Sequence, residues 1–192
     1  MSKIPQIIGL AGAAGAGKSE VANILANIYR YRRAPMAEPL KDMLITFGLS
    51  YDNLYGGSKE TPLDMLGGKT PRHAMQTLGT EWGREFIGED VWVNAWKAKY
   101  QREAHSIRTQ PTQPVVVEDI RFQNEVDMVR DLGGIVFFVA RPGVVADNTH
   151  ISEQMAAKPE PYAQDQLIYN DGNLTDLRDS VVALCNRFKN RV

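Results

Sequence analysis

The chain has 192 residues, 43% of them hydrophobic, with 22 Lys plus Arg against 23 Asp plus Glu. That length suits one domain with a substantial core, carrying an inserted or lid segment in place of a second independent fold. The even charge balance argues against a protein that coats nucleic acid or an anionic membrane, no apolar run approaches the ~20 residues of a transmembrane helix, and a lone Cys185 makes no internal disulfide.

The first predicted element is a buried strand from Ile4 to Leu10. It runs into Gly12-Ala13-Ala14-Gly15-Ala16-Gly17-Lys18-Ser19, which fits the phosphate-binding pattern G-x-x-x-x-G-K-[ST]. Three glycines and no bulky side chain let backbone N–H groups curl around phosphate oxygens, while Lys18 adds a positive charge and Ser19 a hydroxyl for Mg2+. Val21, Ile24, Leu25, Ile28 and Tyr29 then recur at helical spacing, so a helix N-terminus points at the phosphates. This strand, loop and helix suit a nucleoside triphosphate.

Arg33 to Glu38 reads as a short second strand, ended by Pro39 before the periodic segment Leu40 to Leu44. Ser50 to Lys69, rich in glycine, proline and charge, reads as an irregular excursion from the sheet. Thr70 supplies an N-cap and Pro71 a first helical residue, predicting a helix from Pro71 to about Phe86. At 100° per residue, Arg72, Gln76, Gly79, Thr80 and Gly83 share one arc, and Ala74, Met75, Leu78, Trp82 and Phe86 another. A guanidinium, a carboxamide and a hydroxyl beside two glycines would let a flat base or a sugar phosphate approach closely; a plain solvated face has the same spacing. Glu89 to Val93 and Trp96 start a further helix, with Trp96 assigned to the core and Trp92 to either the core or a stacking wall.

After a linker at 109–114, Val115 to Asp119 is an apolar strand ending in two carboxylates, Glu118 and Asp119. Ligands of parallel sheets bind at the carboxyl ends of strands, so Asp119 is expected in the same cleft as Lys18, holding Mg2+ through water. Arg121 and Glu125 follow, either in that cleft or as an exposed pair on the next helix. Gly133-Gly134 breaks this helix, and the buried strand Ile135 to Ala140 ends in Arg141, a third candidate phosphate clamp. Pro142 to Pro161, with His150, Ser152 and Glu153, reads as a covering loop, Gln166 to Asn170 as a last strand. Asn170 to Asn173 turns the chain into a helix that packs Leu174, Leu177, Val181, Leu184, Cys185 and Phe188 inward. His73, His105 and His150 lie far apart without Cys partners, which argues against zinc.

Strands joined by helical crossovers make this an α/β chain, a parallel sheet between helices. Two further blocks carry a family resemblance: Thr70-Pro71-Arg72 with Gln76 to Arg84 and Ile87 to Val93, and Asp119-Ile120-Arg121-Phe122-Gln123-Asn124-Glu125 with the later His150-Ile151-Ser152-Glu153. Together with the loop at Gly12, and in this order over nearly the whole chain, they resemble the bacteriophage-type deoxynucleoside monophosphate kinases.

The resemblance implies a five-stranded P-loop fold with core segments at about 1–50 and 112–192, an acceptor-binding helical insertion at about 51–111 and a lid at about 141–162. It implies transfer of a phosphoryl group from ATP, with Mg2+, to deoxynucleoside 5'-monophosphates, without nucleic acid or membrane partners, in the cytoplasm of the host cell where the chain is of phage origin. A homodimer is left open. By position, Arg72, His73, Gln76, Gly79, Thr80, Trp92, Asp119, Arg121 and Glu125 are implied at the acceptor, residues 12–19 with Arg141 at ATP, and Lys18, Asp119 and Arg121 in catalysis. Similar proteins often have Lys-Asp-Thr where this chain has Lys18-Ser19-Glu20, which makes Ser19 with Asp119 the magnesium ligands and leaves Glu20 without a role. Three alternatives stay open: another small P-loop kinase acting on dephospho-coenzyme A or a nucleoside, an ATP-driven switch or nucleic-acid motor, and a catalytically silent nucleotide-binding module.

Overall fold

In a computed structural model, which describes residues 4–106, 113–144 and 165–189, five strands form one parallel sheet. They are Ile7–Ala11 (β1), Arg32–Arg33 (β2), Val115–Ile120 (β3), Ile135–Ala140 (β4) and Gln166–Tyr169 (β5), in the order β2-β3-β1-β4-β5. The helices are Lys18–Tyr29 (α1), Glu38–Thr46 (α2), Tyr51–Tyr55 (α3), Pro71–Thr77 (α4), Val91–Ser106 (α5), Gln123–Asp131 (α6) and Leu174–Lys189 (α7). The chain forms two compact units, Met1–Pro35 with Thr109–Val192, and Met36–Arg108.

The first unit holds the sheet. β1 is apolar throughout and β3 is apolar over Val115–Val117, because helices cover both faces of a parallel sheet. Ile8 and Leu10 of β1 join Phe137 of β4 in a cluster with Val21 and Leu25 of α1 and Leu177, Val181 and Cys185 of α7. The intervening Gly9 faces the other way, where a Cβ would overlap Ile120 and crowd Val129 of α6. Emptying one of these fully buried positions, as in Phe137→Ala, should cost about 3–5 kcal/mol. The pairing of β1 with β3 runs Gly9 to Val117 and then Ala11 to Ile120, so Leu10 stands against both Glu118 and Asp119. This bulge turns Asp119 into the left-handed region, at φ 62.

The second unit is helical. Leu40 and Leu44 of α2, Leu49, Leu54 of α3 and Trp92 of α5 are buried together, with Ala74, Met75 and Leu78 packed against them. Lys99 of α5 bridges Asp42 at 2.6 Å and Glu38 at 3.4 Å on α2. Partial burial works against its charge, but the two carboxylates outweigh that and raise its pKa.

Several expectations shift. β2 covers two residues in place of Arg33 to Glu38, because Pro39, missing a backbone donor, sits in the first turn of α2 where none is needed. The stretch Ser50 to Lys69 is more ordered than expected: Ser50 caps α3, two 3-10 turns follow, and Leu63 bridges Lys69. The expected helix to Phe86 becomes α4 followed by a π-helical segment, Leu78–Ile87, whose wider turn is seen in the Gly88 N–H donating to Gly83 O. Leu174 is exposed in the first turn of α7, while the other five residues expected inward are buried. Most of the expected lid, from residue 145 onward, lies outside the described residues. Among the described residues no helix is long and apolar enough to cross a membrane.

Candidate active site

The loop after β1 is shaped by its glycines. Gly12, Gly15 and Gly17 take φ values of 136, 78 and 105, which side chains other than hydrogen rarely tolerate. A Cβ on Gly12 would overlap the Val139 carbonyl oxygen, so the loop lies against β4 with no spare room. Lys18 Nζ donates to Gly12 O at 2.7 Å and to Ala13 O at 2.8 Å, and Ala16 N–H donates to Ala13 O at 3.2 Å. Gly17 caps α1 without a side chain, leaving the first N–H groups of the helix, its positive end, toward the loop. Ser19 is exposed in the first turn.

The two carboxylates at the end of β3 have separate fates. Glu118 is 4% exposed, and its oxygens accept from Arg33 Nε and a terminal Arg33 nitrogen, each at 2.6 Å. The other terminal nitrogen donates to Asn23 Oδ1 on α1 at 2.8 Å. A buried carboxylate held in a bidentate fork is a structural tie between β2, β3 and α1. Asp119, one residue on, is half-buried at the bulge.

Glu125 is also 4% exposed, and its Oε2 accepts from the N–H of Arg121 at 2.7 Å and of Phe122 at 3.2 Å. It therefore clamps the turn that leads from Asp119 through the half-buried Arg121 into α6. A Glu three residues into a helix is the sequence signal for such a clamp. Arg141 is exposed just past β4, where the chain turns so that Val144 comes beside Gly15. Because β1, β3 and β4 are parallel neighbours, the glycine loop, Asp119, Arg121 and Arg141 all leave the same edge of the sheet.

The remaining candidates lie in the second unit. Thr70 Oγ1 accepts from the His73 N–H and caps α4, presenting Arg72 and His73 as exposed residues of the first turn. Arg72 Nε pairs with the Glu60 carboxylate, both side chains largely in solvent. Gln76 is half-buried one turn later. Past Thr77 the wider π turn rotates the face: Thr80 and Gly83 are buried, whereas Trp82 and Phe86, expected on the oily side, are 40% and 80% exposed. Trp92 lies beneath this segment at 5% exposure, its Nε1 donating to Gly79 O at 2.7 Å, and its indole fills the space a Cβ on Gly83 would need.

Sequence reasoning missed Arg33, Asn23 and Asn170. Arg33 carried no signal beyond its charge, and Asn170, read as a turn residue, donates from Nδ2 to Ala16 O in the glycine loop at 2.9 Å. Among the described residues no cluster of His, Cys, Asp and Glu could hold a metal by itself.

A family model described as deoxynucleotide monophosphate kinase matches residues 65–181. A protein of Acanthamoeba polyphaga mimivirus, provisionally named a deoxynucleotide monophosphate kinase, is 30% identical over 187 residues, covering 92% of this chain and 94% of its own. The deoxynucleotide monophosphate kinase of Enterobacteria phage T4 is 33% identical over 106 residues, or 55% of this chain and 41% of its own. Among solved structures, TT1252 from Thermus thermophilus superposes with a TM-score of 0.53 at 22% identity, over 96% of this chain and 98% of that one, which supports the α/β fold.

Proposed function

The chain belongs to the deoxynucleotide monophosphate kinase family, and on that footing we propose that it moves the terminal phosphoryl group of ATP, in line, onto deoxynucleoside 5'-monophosphates. The observation that carries the donor half is the glycine loop with Lys18 folded across it and α1 opening behind it. Backbone N–H groups and a helix N-terminus bind the triphosphate. The Lys18 ammonium leaves the carbonyls of its own loop for the more strongly charged phosphate oxygens and stabilises charge that develops during transfer.

Ser19 and Asp119 offer a hydroxyl and a carboxylate, hard oxygen donors of the type Mg2+ prefers, on one edge of the sheet. They would hold the ion that accompanies the triphosphate, which when bound neutralises phosphate charge. Arg121, with its turn fixed by Glu125, and Arg141 add positive charge on the same edge. The acceptor's own phosphate oxygen is nucleophilic at neutral pH, its second pKa being about 6, so no side chain has to remove a proton. Orientation and charge neutralisation carry the reaction.

Arg72 binds the acceptor phosphate. Its partner Glu60 is exposed, and an exposed pair of this kind contributes no more than about 1 kcal/mol, so a dianion displaces it readily. His73 and Gln76 lie on the same helix and contact the acceptor beside it, while Gly79 and Thr80 shape the surface over Trp92. The test is an ADP-release assay across all deoxy- and ribonucleoside monophosphates, with products identified by chromatography. Deoxynucleoside diphosphates are the expected products; ADP formed without any phosphorylated nucleotide would refute the assignment.

A further inference from the structure

Asn170 follows β5 directly, and two hydrogen bonds fix it. Its backbone N–H donates to Ala140 O at 2.7 Å, pinning the main chain to the end of β4, and its side-chain Nδ2 donates to Ala16 O at 2.9 Å. A carbonyl acceptor requires the nitrogen of the carboxamide to face it. The fit is close on the next residue too, since a Cβ on Gly17 would overlap that same nitrogen.

In a trans peptide the C=O and the following N–H point in opposite directions. Drawing Ala16 O toward Asn170 therefore aims the Gly17 N–H the other way. Without bound phosphate Lys18 holds Gly12 O and Ala13 O in a similar way, but it gives up that hold when its ammonium turns to the phosphates, whereas the Asn170 bond can last through binding. Asn170 therefore keeps the Ala16 carbonyl turned aside while an anion is bound, and leaves the Gly17 N–H for it.

We propose that Asn170 is a positioning residue of the phosphoryl-donor site. Its carboxamide holds the Ala16 carbonyl away from the bound phosphates and so sets the Gly17 N–H upon them, acting through the loop and not on the reacting atoms. This rests on reading the loop as the ATP site.

The test compares wild type, Asn170→Ala and Asn170→Asp by titration with a fluorescent ATP analogue and by steady-state kinetics. For Asn170→Ala, analogue affinity should fall and the ATP KM rise about tenfold, the upper end of what one hydrogen bond contributes, with the acceptor KM unchanged within twofold. Asn170→Asp, nearly isosteric, should be worse at neutral pH, because a carboxylate faces both a carbonyl and the polyphosphate. Its defect relative to wild type at the same pH should shrink on acidification to about pH 5, as the protonated carboxyl regains a donor. A merely structural role would lower turnover and stability without a donor-selective KM change or this pH trend. An unchanged ATP KM in Asn170→Ala, an equal rise in both KM values, or a pH-independent Asn170→Asp defect overturns the proposal while leaving the ATP reading in place. Failure of wild type itself to bind the analogue overturns the ATP reading and the proposal with it.

Discussion

The glycine loop at 12–19 and the segment at 71–87 are both short, glycine-bearing and central to the proposed reaction, yet they relate to their sequences in opposite ways. In the loop the backbone is the functional group, and each special φ angle needs a glycine that the sequence displays openly. In the helical segment function would rest on which side chains share a face, and that depends on the winding. One change from α to π at Leu78 is enough to send Trp82 and Phe86 outward and Thr80 and Gly83 inward. A motif made of backbone conformation is legible; a face inferred by counting residues is only as good as the assumed turn.

Removing the cation from the loop should produce the largest effect. Lys18→Ala is expected to lower kcat by about 10²–10³-fold, the range for losing one aligned charge donor, while calorimetry finds acceptor binding nearly unchanged. A matching loss of acceptor affinity would mean that the loop does not serve the donor alone.

In the helical segment, Arg72→Ala is expected to raise the acceptor KM about tenfold, with the ATP KM unaffected. Because the partner of the guanidinium among the described residues is the exposed Glu60, the variant should unfold at nearly the wild-type temperature. Acceptor kinetics identical to wild type would remove Arg72 from the site.

The π-helical segment gives a smaller, sharper contrast. Trp92→Phe keeps an aromatic ring but deletes the donor to Gly79 O, which should cost about 1 kcal/mol in urea denaturation and raise the acceptor KM by a few-fold. Loss of stability with unaltered acceptor kinetics would confine Trp92 to the core.

The smallest effect concerns Cys185. Burial under the sheet pushes its thiol up to about 11, so in the folded protein it should react with a thiol reagent at pH 8 far more slowly than in urea. Rapid labelling of the native chain would show that α7 opens easily.

Much of the sheet could be read directly, because Val115–Val117 and Ile135–Ala140 are continuous apolar runs of the kind a strand covered on both faces carries. The bounds of the short edge strand at Arg32–Arg33 could not, since two charged residues carry no periodicity and are held in the sheet by backbone bonds to β3 and by the pairing of Arg33 with Glu118. In the same way, nothing local distinguishes Glu118 from Asp119. What separates them is a bulge and a partner 85 positions away. Glu125 carried a local signal, its place in the first turn of α6, and binds backbone N–H groups there. Asn170 reaches the loop from 154 positions away, a contact that only the completed strand order brings about.

The most direct test is to supply ATP labelled in its terminal phosphate together with each deoxynucleoside monophosphate and to follow the label. It should appear in a deoxynucleoside diphosphate with the wild-type protein and be almost absent from that product with Lys18→Ala, whose acceptor binding persists. Label released only as inorganic phosphate, whichever monophosphate is present, would contradict the account.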